Sequence, residues 1–129
     1  MGAWGTGSFE NDEAVGWVAG LDAITLDELM RLLGRAADDS GYLEAAPARV
    51  AVAAGEVVAA LNGAPAVGAP AGILVWARGR VCTPELKGAA VRALDRVRTN
   101  SELKDLWMEA DGLNEWSGAV RELQGRLGG

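Results

Sequence analysis

The chain has 129 residues, half of them apolar, with 12 basic and 18 acidic side chains and a net charge of −6. That length suffices for one domain with a buried core, and the negative balance disfavours binding to a nucleic-acid backbone. Histidine is absent and cysteine occurs once, at Cys82, which excludes a Ser-His-Asp triad, a Cys-His pair, an internal disulfide and a cysteine/histidine zinc site.

In chain order, the first ten residues read as an arm rather than an element. Trp4 and Phe9 bring large apolar area before any periodic pattern starts, which predicts that the arm folds back onto the body. Gly5 and Gly7 then mark where its backbone passes close to other atoms. Asn11 is a good N-cap for a first helix, with Asp12 and Glu13 in the first turn and Ala14, Trp17, Val18 and Leu21 on one face. Thr25-Leu26-Asp27-Glu28 is a capping box, and Ile24 with Leu29 has the spacing of a hydrophobic staple. A second helix follows to about Asp38, with Leu29, Leu32, Leu33 and Ala36 facing the core and Ser40-Gly41 as its stop.

Pro47 belongs in the first turn of a third helix, which runs to about Leu61 and ends at Asn62-Gly63. It is apolar almost all round, the pattern of a central helix. Residues 57–77 carry no charge, but the glycines and prolines of 62–72 make that segment a loop rather than a membrane span. Residues 73–80 fit a strand or a short helix by run length, and the helical surroundings favour the helix. Thr83-Pro84 opens a further helix to about Arg98. Asn100 or Ser101 caps the next, with Leu103, Leu106 and Trp107. After the break at Asp111-Gly112 a last helix carries Trp116, Val120, Leu123 and Leu127. No segment alternates with period two. The expectation is all-α: one compact domain over residues 1–129, a bundle of about six helices with the arm (residues 1–10) packed on its core.

Three stretches carry a resemblance: the opening MGAWGTGSFENDEAVGWV, the run AAGEVVAA at residues 53–60 and the run NSELKDLW at residues 100–107. Together they resemble the bacterial domain-of-unknown-function family 4259 (DUF4259). The resemblance implies a small bacterial domain without an assigned activity, and it supplies no catalytic residues.

With imidazole absent, carboxylates are the remaining catalytic groups. Glu10 with Glu13, and Glu102 with Asp105, have i, i+3 spacing, so each pair can project from one helix face. Two such pairs facing one another would hold magnesium, the basis of an alternative reading as a metal-dependent hydrolase of a nucleotide or phosphoester. The structural reading gives Asp12, Glu13 and Glu102 helix N-termini to stabilise instead. Cys82 reads as a small buried thiol rather than a nucleophile.

Glu56 lies in the helix expected to be most buried, where an unpaired charge is costly. It is expected to anchor the arm, either accepting from the Gly5–Gly7 backbone or pairing with Arg92 or Arg96, with Gly5, Gly7, Phe9 and Trp17 as the other structural anchors. Of the five tryptophans, Trp17, Trp107 and Trp116 fall on apolar stripes. Trp4 and Trp76, on irregular segments, are the candidates to face a partner.

The function these features favour is a non-enzymatic protein-interaction module, an adaptor or neutralising protein, without cofactor and without a nucleic-acid or membrane partner. Its expected partner is a protein, basic because the chain is acidic. No basic segment followed by an apolar run opens the chain, and the lone cysteine suits a reducing cytoplasm.

Overall fold

Local capping signals place most of the helix starts. A computed structural model, which describes residues 3, 5–38 and 41–128, contains α1 (Asp12–Ala19), a 3-10 turn (Leu21–Ala23), α2 (Leu26–Asp38), α3 (Ala45–Leu61), α4 (Ala71–Ala77), α5 (Pro84–Thr99), α6 (Glu102–Glu109) and α7 (Leu113–Arg126). Among the described residues there is no strand, only an isolated antiparallel bridge between Ala3 and Asn11. The all-α class holds. Of the 73–80 run, residues 73–77 fall in the short α4 and 78–80 lie beyond its end, so the described residues form seven α-helices rather than about six. Among them no helix is long and apolar enough to cross a membrane.

The caps are formed by the side chains the sequence offers. Asn11 Oδ1 accepts from the Ala14 amide at 2.8 Å. Thr25 Oγ1 accepts from the Glu28 amide and donates to the Glu28 carboxylate, both at 3.1 Å. Thr83 and Ser101 cap α5 and α6 in the same manner, each accepting at 3.1 Å. Helix α3 starts at Ala45, earlier than Pro47 suggests. Pro47 still lies in the first turn, where a missing N–H costs no intrahelical bond. The α3 N-terminus borrows its cap from another helix: the Ala45 amide donates to Glu102 Oε1 at 2.8 Å, and the Glu102 amide donates back to the Leu43 carbonyl at 2.8 Å.

Helix α3 is the axis of the molecule and touches every other α-helix. Its run from Ala51 to Ala59 is buried throughout. Small side chains permit that crowding. A Cβ on Gly55 would lie 3.1 Å from a Leu94 methyl and 3.4 Å from a Leu123 methyl, so α5 and α7 close directly onto the α3 backbone. Among the described residues the buried ionisable side chains are Arg49 and Glu56, both on α3. They are seven residues apart and therefore share one face of the helix.

Candidate functional site

The arm lies against that charged face of α3. Glu56 is 5% exposed. Its Oε2 accepts from Ser8 Oγ at 2.6 Å, and Arg126 grips both its oxygens at 2.9 and 3.1 Å. Arg126 also holds Glu122, one turn earlier on α7, at 2.7 Å. The partners differ from those expected from sequence. Arg96 donates to the Ala36 carbonyl in the last turn of α2 and to the Gly41 carbonyl beyond it, and Arg92 is exposed on α5. The Gly5–Gly7 turn meets a different carboxylate, that of Glu10. The Gly7 amide donates to Glu10 Oε1 at 3.0 Å, and a Cβ on Gly5 or Gly7 would run into the same group. Phe9 and Trp17 pack, half-buried, against the core.

The four acids considered as metal ligands are each engaged elsewhere. Glu10 closes the arm. Glu13 pairs with Arg49 at 2.7 Å, and the hydrogen bond from Arg49 holds its carboxyl below the usual glutamate range against the opposing effect of burial. Glu102 caps α3, and Asp105 accepts from the Tyr42 hydroxyl at 3.0 Å. Among the described residues no three potential ligands converge, so the geometry does not assemble the two pairs into a site. Burial pushes the Cys82 thiol up, the opposite of an activated nucleophile.

Trp76 requires a correction. It is 4% exposed, its Nε1 donates to the Ile24 carbonyl at 3.0 Å, and the Arg80 guanidinium covers the ring 4.3 Å from its centroid. Its segment is helical, and Ile24, between the 3-10 turn and α2, supplies the acceptor that makes indole burial favourable. It offers no face to a partner. Trp4, like Ser40, lies outside the described residues.

The open concave surface lies elsewhere, between α2 and the segment leading into α3. It is a groove of about 730 Å³ with a floor of Ile24, Leu32, Leu43 and Val50. On α2 the lining residues Glu28, Arg31, Leu32, Arg35 and Ala36 follow i, i+3, i+4, i+7, i+8 spacing, one continuous helix face. Tyr42 stands at the rim, 60% exposed, with its hydroxyl tied to Asp105. Glu28 is held in the capping box, and Glu44 lines the side next to α3. Arg31 and Arg35 make no hydrogen bond or ion pair among the described residues. The sequence pattern placed Leu32 on the core face and passed over both arginines. Their signal was available in the 28–36 spacing, but the opposite wall comes from residues 42–50 and no periodicity reports it.

A second void lies beneath the arm beside Arg49, whose Nε and Nη2 are buried without a hydrogen bond. At about 20 Å³ it has the size of one water molecule. That leaves no room for an oxyanion ligand while the arm is seated.

Fold and surface together define a small all-α domain with an open groove of mixed apolar and charged lining between α2 and the segment leading into α3. The chain belongs to the family described as Domain of unknown function (DUF4259), which it matches over residues 2–119. No curated protein and no solved structure matches it.

Proposed function

We propose that this protein is a non-enzymatic interaction module, an adaptor or neutralising partner in a bacterial cytoplasm, that receives a segment of another protein in the α2 groove. The observation that carries this reading is the groove itself: an apolar floor flanked by an exposed tyrosine and two arginines that make no ion pair among the described residues. Its volume of about 730 Å³ lies within the usual range for ligand sites. Tyr and Arg are the side chains that dominate binding energy in protein interfaces. The net charge of −6 further favours a partner that is basic over the rest of its surface, with association that weakens as salt rises.

The test is affinity capture from the host with the wild-type chain and with the double variant Tyr42→Ala/Arg35→Ala. Both positions are exposed, so folding is preserved. A stoichiometric protein retained by the wild type and by an Arg121→Ala control, but lost from the groove variant, supports the reading. Absence of a partner, or a partner indifferent to the groove variant, overturns it.

A further inference from the structure

The groove also specifies the chemistry of what enters it, an inference that rests on the docking role proposed above. We infer that the occupant is an acidic amphipathic helix of a partner protein, with two carboxylates about one turn apart that meet Arg31 and Arg35.

The charge distribution runs against the molecule as a whole. Within residues 1–46 there are nine acids and two arginines, and the two arginines are Arg31 and Arg35. Asp27 and Glu28 stand one turn before Arg31, yet neither forms an ion pair with it; Glu28 is held by Thr25. Two guanidinium groups therefore line one wall of an apolar groove with their hydrogen-bonding edges unused among the described residues. Arg78, Arg92 and Arg121 are also exposed, but they line none of the grooves described.

Spacing supplies the register. Residues four apart on α2 are separated by about 6 Å along its axis. A helix laid along α2 with acids four apart repeats that distance, and each guanidinium can take one carboxylate in a bidentate pair. Leu32 lies between the arginines on the same face, and Val50 and Leu43 stand opposite, so apolar side chains of the incoming helix meet apolar floor. Tyr42 is anchored through its hydroxyl to Asp105, which holds the ring in place before binding and lowers the entropy lost there. Glu44 on the opposing wall repels a carboxylate and so favours the orientation that turns the acids toward Arg31 and Arg35, C-terminal of Glu28 on α2. A nucleic acid or an anionic membrane surface is disfavoured, because the net charge of −6 repels an extended polyanion whereas two localised carboxylates need satisfy only two sites.

The experiment uses two fluorescein-labelled model helices, each with leucines along one face. One carries glutamates four residues apart beside the leucines and the other carries lysines in the same places. Polarisation titrations at low salt with the full chain, together with amide shift mapping, give the affinity and the location. The acidic helix is expected to bind at least about ten-fold tighter than the basic one, with shifts at Leu32, Tyr42 and Val50, and Arg31→Glu/Arg35→Glu is expected to reverse the preference while the chain stays folded. Preference of the wild type for the lysine helix, or no preference, overturns the acidic class even where shifts map to the groove. Shifts outside the groove, or none with either probe, overturn it as well. Capture of a host protein that is sensitive to the groove variant would then still stand, so failure of the ligand class is separable from failure of the docking role. Dimerisation of the chain that Arg31→Glu/Arg35→Glu abolishes would assign the groove to a second copy and also overturn the proposal.

Discussion

Glu56 shows how one side chain can decide where an arm rests. Its carboxylate is almost wholly removed from water, and it is compensated by Arg126 from α7 and Ser8 from the arm. Replacing Arg126 with Met would leave a buried carboxylate with one hydroxyl donor, and removing one member of a buried pair costs about 3–5 kcal/mol. Glu56→Gln should cost less, about 1–2 kcal/mol, because Arg126 retains Glu122 and the amide oxygen still accepts from Ser8. Ser8→Ala should cost about 1 kcal/mol and loosen the arm selectively. Urea midpoints of the three variants test the order, and amide exchange in residues 5–10 reports the arm. Unchanged stability in Glu56→Gln would remove the anchoring role. The need for an anchor could be read from an acid set in an apolar helix. The partner could not, because Glu56 and Arg126 are 70 positions apart and only the packing of α7 on α3 brings them together.

Helices α1, α2, α5 and α6 start where a neighbouring side chain supplies a cap, and α3 is the case in which a distant residue supplies it. Its N-cap Glu44 makes no side-chain cap hydrogen bond, and Glu102 reaches over from the first turn of α6 to accept from Ala45. Glu102→Ala should therefore cost about 1 kcal/mol, the usual worth of a cap, and raise exchange at the Ala45 amide although the substitution lies in another helix. Glu102→Gln keeps an acceptor oxygen and should retain most of the stability. If exchange rises only in α6, the cross-helix cap is not the source of the loss. Gly55 sets the closest approach in the same helix. Gly55→Val should destabilise by about 1–3 kcal/mol through overpacking against Leu94 and Leu123, measurable as a lowered urea midpoint, despite the gain in helix propensity. Signals confined to one segment, such as the Thr25–Glu28 box or Thr83-Pro84, are legible in the amino-acid order alone. The Glu102 cap, the burial of Trp76 with its indole N–H on the Ile24 carbonyl and the groove wall opposite α2 each require two segments to meet. The NSELKDLW run illustrates the difference: as sequence it reads as a cap and an apolar stripe, and in the fold the same residues also hold Leu43, Ala45 and Tyr42.

At the scale of the whole molecule, the titratable groups predict how stability depends on pH. No histidine is present, so no side chain with an ordinary pKa titrates between about pH 6 and 8, and the melting temperature should be flat across that range. Three carboxylates lie below their usual values: Glu13 through the hydrogen bond from Arg49, Asp95 through Gln124, and Glu122 through Arg126. A group whose pKa is lower folded than unfolded stabilises the native state above its unfolded value and loses that contribution as pH falls through the folded one. The acid limb should therefore begin near 4.5, the ordinary glutamate value, and continue below it. Cys82 acts at the other end. Burial raises its thiol pKa, so above the ordinary value of 9.0 the unfolded chain ionises first and stability declines as pH rises. Thermal unfolding between pH 2 and 10 should trace this plateau with two shoulders. Glu13→Gln, which also weakens the compensation of buried Arg49, should lower the plateau and shorten the acid limb, and Cys82→Ser should reduce the decline above pH 9.0. A slope between pH 6 and 8 would mean that a group with a strongly displaced pKa, absent from this set, controls the folded state.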